Sequence, residues 1–235
     1  MMNKPVFRYI APVVLSLLMA GSALAQGSKA IAIVLTAKGN AEVKKPGNDW
    51  TTLKFGVVLD DGDQIRTGDD GFVALAFTDD KSQLKIRPDT EITVNAQRQA
   101  DYSLAKRVNM ELGELFADVK KQKGSMQVAT PTSVASVKGT SFWVLVDENG
   151  ETNLLAIEGL IQFLNLISNE SIDVSGGTTG FAGTDGSLET GSLEGMTIPE
   201  FLEETLGFRT IEIIFTDDEG NTKRLIINYQ VEGEE

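Results

Sequence analysis

The 235-residue chain has no cysteine and no histidine. Without cysteine no disulfide can staple the fold, so a packed core must hold it. Without histidine there are no imidazole metal ligands, no serine–histidine nucleophile pair and no imidazole pH sensor. Basic residues are also scarce, 21 Lys and Arg against 34 Asp and Glu, for a net charge of −13. A surface of that sign repels phosphate backbones and anionic lipid heads, which argues against nucleic acid and anionic membrane surfaces as partners.

Long hydrophobic runs are missing too, except near the N-terminus. There Lys4 and Arg8 precede an apolar run from about Tyr9 to Ala20, followed by Ala23-Leu24-Ala25. Basic, apolar and small-residue regions in that order are the layout of a secretory signal peptide, with cleavage expected after Ala25. Pro12 interrupts the run, which is shorter than the ~20 residues a spanning helix needs. The expected compartment is periplasmic or secreted. Losing Lys4 and Arg8 would take the net charge to −15.

What the chain does have is alternation. AIAIVLT, AEVKK, FVALAF, QLKIR, EITVN, LFADVKK and MQVAT all follow a period near two and are closed by Gly, Asp, Asn or Pro. Short alternating bursts between turn residues predict an all-β domain of many short strands, in a sandwich, barrel or solenoid-like arrangement. From Gly176 to Gly195 the composition, rich in Gly, Thr and Ser, predicts loop or linker. Thr197 with Glu200 forms a capping box, Pro199 suits a first helical turn and Gly207 a stop, so a short helix is predicted there. A hairpin closes the chain. Ile211, Ile213 and Phe215 alternate on one arm, and Leu225, Ile227, Tyr229 and Val231 on the other.

Several motifs resemble catalytic or ligand sites. Lys138-Gly139-Thr140 has the letters of a phosphate loop in the wrong order, and strand residues follow where a helix must start. Ser103-Leu104-Ala105-Lys106 matches the S-x-x-K of acyl-transferring serine enzymes, but the partner motifs are absent and it reads as a polar loop. Asp60-Asp61-Gly62-Asp63, Asp69-Asp70-Gly71 and Asp79-Asp80 offer the oxygen ligands calcium prefers, yet in no EF-hand spacing, and Asp and Gly are what tight turns need. No catalytic, cofactor-binding or metal residue is assigned, and no cofactor is expected.

The stretch SVASVKGTSFWV changes face. Ala135 and Val137 are apolar at odd positions, whereas Phe142, Val144 and Val146 are apolar at even ones. Such a switch needs an inserted residue, so Gly139 is read as a bulge or tight bend. Trp143 and Leu145 are apolar on the other face as well, which suggests a strand covered on both sides.

The order of motifs resembles the FecR domain family: LDDGDQIRTG (Leu59 to Gly68), LKIRP (Leu84 to Pro88), MELGEL (Met110 to Leu115), ATP (Ala129 to Pro131), VKGTSF (Val137 to Phe142) and IEG (Ile157 to Gly159). Lys81 stands where the family usually has the glycine of a D-G turn. The resemblance implies an extracytoplasmic, sandwich-like or β-solenoid-like all-β domain without catalytic residues. In its best-known setting such a domain follows a cytoplasmic anti-sigma segment and a membrane span. Only a signal peptide precedes it here, so direct control of a sigma factor is not expected.

The expected organisation is a signal peptide over 1–25, a FecR-like β domain over 27–190, and a linker, short helix and β-hairpin over 191–235. The expected function is an exported, non-catalytic binding module of the cell envelope, possessing an envelope protein or glycan partner. Self-association through the C-terminal hairpin is a further expectation. The alternatives are an exported hydrolase using acidic residues and a calcium-stabilised structural protein.

Overall fold

The computed structural model describes residues 30–121, 124–199, 208–216 and 222–230, the last two stretches as strands only. Among the described residues the fold is all-β. Its strands in chain order are β1 (Ala32–Lys38), β2 (Ala41–Lys44), β3 (Thr51–Thr52), β4 (Val58–Leu59), β5 (Asp63–Thr67) and β6 (Phe72–Phe77). Next come β7 (Gln83–Ile86), β8 (Glu91–Arg98), β9 (Leu104–Asp118), β10 (Ser125–Ala129), β11 (Ser133–Val137) and β12 (Ser141–Val146). The remaining strands are β13 (Thr152–Glu158), β14 (Leu160–Asn165), β15 (Ser171–Ser175), β16 (Thr178–Ala182), β17 (Leu188–Ser192), β18 (Phe208–Thr216) and β19 (Thr222–Gln230).

Pairing separates the first seventeen strands into two open sheets. Sheet A runs β4-β1-β6-β7-β9-β12-β13-β16-β17. Sheet B runs β3-β2-β5-β8-β9-β10-β11-β14-β15. Neither closes into a barrel. The core between them contains Leu75, Phe77, Leu84, Ile92, Val108, Phe142, Val144 and Phe163. The chain advances along both sheets almost in sequence order, placing hairpins now in one and now in the other. That progression is solenoid-like, while the packing is that of a sandwich.

Strand β9 belongs to both sheets. Its first part pairs with β8 and with β10 in sheet B, and its last part with β7 and β12 in sheet A. The inward set changes with the sheet: Leu104, Lys106, Val108 and Met110 are buried at even positions, Leu115 and Ala117 at odd ones. The switch spans Met110 to Gly113: the pairing with β8 slips by one residue between Met110 and Leu112, and Gly113 follows with φ +105°. A Cβ there would lie 2.6 Å from Thr90 Cα and 2.7 Å from the Asp89 carbonyl oxygen.

Gly139 is also a crossing. SVASVKGTSFWV is two strands, β11 in sheet B and β12 in sheet A, and Gly139 (φ +74°) makes the bend between them. The tight bend therefore holds, and an in-strand bulge at Gly139 does not. A register shift lies beside it, where Ser141 pairs with Glu158 and Phe142 with Ala156. Lys81 adopts φ +63°, so the β6–β7 turn keeps its left-handed residue without the glycine. Such a conformation costs a non-glycine residue roughly 1–2 kcal/mol.

Two expectations need correction. The stretch from Gly176 to Gly195 is not a loop, because β16 and β17 form a paired hairpin within it. Its small residues are packing choices: a Cβ on Gly180 would come within 2.9 Å of the Phe163 ring and of Val174 Cγ2. The short helix is not borne out. Residues 197–199 are irregular, no helix occurs among the described residues, and 200–207 lie outside them. The C-terminal hairpin is present, with Ile211 opposite Ile227 and Ile213 opposite Leu225.

Gly113→Ala and Gly139→Ala should both destabilise, since each forces a side chain into positive φ at ~1–3 kcal/mol. Gly113→Ala should be the costlier. Its obstacle is backbone, whereas at Gly139 the nearest atom is Lys121 Cγ, 2.3 Å away, in a side chain that can turn aside. Chemical denaturation of both variants and of Lys138→Ala, expected to be mild, checks the order.

Candidate functional site

Three groups of chemistry-bearing residues can be placed: the acidic turns, a buried ion cluster, and the outer face of sheet A with a cleft at its end.

The acidic turns are separate structural devices. Asp63 is fully buried and accepts hydrogen bonds from Lys45 Nζ (2.9 Å) and from the Asp60 amide (3.0 Å), closing the turn before β5. Asp61 accepts from the Ala96 amide at 2.9 Å, and Asp70 from the Asn40 amide at 2.8 Å. The hydrogen bond to Asp63 holds the Lys45 ammonium above its ordinary pKa, against a smaller opposing effect of burial. Asp60 and Asp63 share Lys45, whereas Asp61 is drawn to β8 and Asp70 to the turn between β1 and β2.

Asp79 and Asp80 meet Lys106 inside the protein. Lys106 occupies a core-facing position of β9, one step along the inward row from Leu104, and only 1% of its side chain is exposed. Its ammonium is 2.9 Å from Asp79 Oδ2, hydrogen-bonds Asp80, and sits 5.2 Å from the centre of the Phe77 ring. Asp79 also accepts from the Leu104 amide, and Asp80 from the Ser82 amide. Burial works against the Asp80 carboxylate, but the bonds from Lys106 and Ser82 outweigh it and hold its pKa below the usual range. The polar-loop reading of Ser103 to Lys106 therefore fails: Leu104, Ala105 and Lys106 belong to β9, and Leu104 and Lys106 are buried. Parity along Leu104, Lys106, Val108 and Met110 was the available signal. The cluster ties the β6–β7 turn to β9, and its enclosure gives it a structural role.

The outer face of sheet A is unlike that of sheet B. In β8, β9 and β14 burial alternates, as expected for a sheet with one wet face. In β6 every residue is buried, and in β12 and β13 the outward-facing Trp143 and Leu155 are buried at 2% and 3% exposure. Trp143 packs on Phe116 with ring centroids 5.3 Å apart, and Lys85 Nζ stands 5.6 Å from the Phe116 ring centre. Cross-strand register lines up Ala74, Lys85, Phe116, Trp143 and Leu155. Burial lowers the Lys85 pKa, and the charge of Asp118 opposes the shift only in part.

One step further along these strands the face opens into a cleft of about 570 Å³. Glu114, Leu145 and Asn153 continue the rows of Phe116, Trp143 and Leu155, and Arg87, Asp89, Asp147 and Glu148 form the rim. Arg87 Nε lies 2.9 Å from Glu114 Oε2. This pair is about one-third exposed, so it orients the rim more than it stabilises the fold. Among seven lining side chains just named there is one cation and there are four carboxylates, an arrangement suited to a positively charged group. Sequence reasoning missed this cleft, because its residues come from four separate stretches of the chain.

Lys106→Met should destabilise by about 3–5 kcal/mol, because two carboxylates remain buried without their cation. Adding Asp79→Asn and Asp80→Asn to the same chain should recover a good part of the loss. In the unaltered protein the contribution of Asp80 is fully present above the unfolded carboxyl pKa, near ~4, and disappears as pH falls through the lower folded value. Denaturant titrations between neutral and strongly acidic pH measure both effects.

Comparison with known proteins places the central part of this chain. No curated protein matches it. Two crystal structures of candidate anti-sigma factors from Parabacteroides distasonis ATCC 8503 are similar to it, one with 17% identity and a TM-score of 0.47, the other with 16% and 0.45. In both cases the match covers 55% of this chain and 59% of the other, so the chain spans about three fifths of their length. The family model described as FecR protein matches residues 63–162. That stretch runs from β5 into β14 and contains β9, the ion-cluster residues Asp79, Asp80 and Lys106, and the whole cleft rim. Residues 63–162 therefore carry a FecR-family match, which bears out over that stretch the resemblance read from the motifs.

Proposed function

We propose that this protein is an exported, non-catalytic interaction module of the cell envelope, which senses or organises envelope components by holding a partner at the cleft beside Arg87 and Glu114. The observation that carries the reading is the cleft itself, an acidic concavity built within the FecR-matched stretch. Asp89, Asp147 and Glu148 are exposed around it. A cation-bearing protein segment is the complementary occupant, since like charge excludes anionic glycans and lipids and buried carboxylate–cation pairs reward a close fit. Leu112, Leu145 and Val146 supply the apolar part of its lining. The FecR resemblance, which implies an extracytoplasmic domain without catalytic residues, supports the same reading. Export rests on the Lys4–Arg8, apolar and Ala23-Leu24-Ala25 order.

The test uses the native cell. The protein should be recovered outside the cytoplasm with an intact mass beginning at Gln26. A photo-crosslinking residue at Asn153, in the cleft, should capture a discrete protein partner, and the same residue at Gln162, on the outer face of sheet B, should not. Asp147→Lys with Glu148→Lys should weaken that capture at least tenfold. Retention of Met1, equal capture from both positions, or indifference to the charge reversal would each overturn the proposal. Glycan hydrolysis by the purified protein, lost in Glu114→Gln, would establish the exported hydrolase instead.

A further inference from the structure

The outer face of sheet A has a property that one-sided sheets lack. Phe72, Ala74, Ala76, Trp143 and Leu155 are buried, yet none belongs to the core cluster between the sheets. Their cross-strand partners confirm the side they occupy. Lys38 is opposite Phe72, Thr36 opposite Ala74, Phe116 opposite Trp143, and Trp143 opposite Leu155. Neighbours along each strand, such as Val73, Leu75, Val144 and Leu154, point the other way into the core. No strand of either sheet lies over this outer face. A tryptophan standing on an uncovered sheet shows much of its ring to water, and Trp143 shows almost none.

The chain itself has a segment suited to cover it. Sheet A ends at β17, and the polypeptide leaves that edge with residues 193–235 still to place. From Leu193 to Gly207 there are 15 residues, which extend at most roughly 50 Å. From β17 to β12 is three strand spacings, about 15 Å, so the reach is ample. The segment contains the β18–β19 ribbon. Its register places Ile211 opposite Ile227 and Ile213 opposite Leu225, with Glu212 opposite Ile226 and Thr210 opposite Asn228 on the alternate positions. One face is thus wholly aliphatic at its centre and the other mixed. A two-stranded ribbon alone in water is marginal and needs cover for such a face. The charges agree as well: residues 200–235 contain ten acidic and three basic residues, while Lys38 and Lys85 stand on the outer face of sheet A. The lowered pKa of Lys85, caused by burial, is in keeping with a layer above it.

We propose that the Ile211–Ile213–Leu225–Ile227 face of the β18–β19 ribbon docks on the outer face of sheet A, over Phe72, Phe116, Trp143 and Leu155, as a third layer of the same molecule. The inference is independent of the role given to the cleft. It makes the C-terminal unit part of the FecR-like domain rather than an appendage for self-association or for a foreign partner.

The test reads Trp143 in the complete protein. The chain has two tryptophans, so Trp50→Phe leaves Trp143 as the sole emitter, and the absence of cysteine allows one probe site at a time. A contact quencher attached at Ile213→Cys, or separately at Ile227→Cys, should lower Trp143 emission at least threefold in dilute monomer. The same quencher at Glu212→Cys, on the opposite face, should lower it clearly less. Two positions guard against one variant failing to fold. Quenching that appears only when labelled, tryptophan-free chains are mixed with unlabelled ones would identify a second copy as the cover and overturn the proposal. So would an unquenched Trp143 at both positions, whether still shielded from acrylamide by some other cover or open to it.

Discussion

A single strand joins the two halves of this molecule. β9 leaves sheet B and enters sheet A without a loop, so the sheets share one continuous backbone through the middle of the sandwich. That is possible only where the strand can change its inward face, and a change of face needs an inserted residue or a backbone free to turn, here the extra Glu111 followed by Gly113. Gly113 is pressed against Thr90 and Asp89 where the neighbouring crossing from β7 to β8 passes. The consequences reach both ends of the strand. Upstream, the even positions look inward and carry Lys106 into the core, so Asp79 and Asp80 must come to meet it. Downstream, the odd positions look inward, which turns Phe116 and Glu114 out to the face that contains the aromatic row and the cleft.

The same logic repeats at smaller scale. The chain crosses between sheets at Gly39, Gly62, Gly139, Gly159 and Gly177 as well, all with positive φ. The family-like motifs fall at such corners: Gly62 in LDDGDQIRTG, Gly113 in MELGEL, Gly139 in VKGTSF and Gly159 in IEG. ATP is a different device. It turns β10 into β11, and the Thr130, Thr132 and Thr152 hydroxyls form a buried chain at 2.7 and 3.0 Å that fastens this turn to the β12–β13 hairpin. Motifs that could be mistaken for ligand loops are thus the joints of a two-sheet frame, and chemistry is left to what the frame presents.

Much of the architecture was legible because its signals are local. Period-two alternation located the early strands, and the parity switch around Gly139 announced a change of direction. It could not say that the change was a move to another sheet, since a bulge and a corner alter the inward set identically. Gly176 to Gly195 misled for a related reason: composition does not reveal that Gly180 is small because Phe163 lies against it. Lys106 was legible in principle from the apolar row around it, but a lysine is discounted in a core until its carboxylates are known. The cleft was beyond reach, as it joins Arg87, Glu114, Leu145 and Asn153 from four separate places in the chain. The possibility of a doubly covered strand at Trp143 was visible, and burial on both faces of β12 agrees with it.

The claim on which the rest depends is that β9 acts as one mechanical element of both sheets. Native-state hydrogen exchange of its amides is the most direct measurement, because exchange from a strand reports the opening of the structure that pairs with it. If the account is right, Ala105 to Met110 and Leu115 to Asp118 exchange together, with the same free energy and the same dependence on denaturant, close to that of global unfolding. Earlier opening of the Leu115 to Asp118 part, with the sheet B part still protected, would show two independently stable sheets and contradict it.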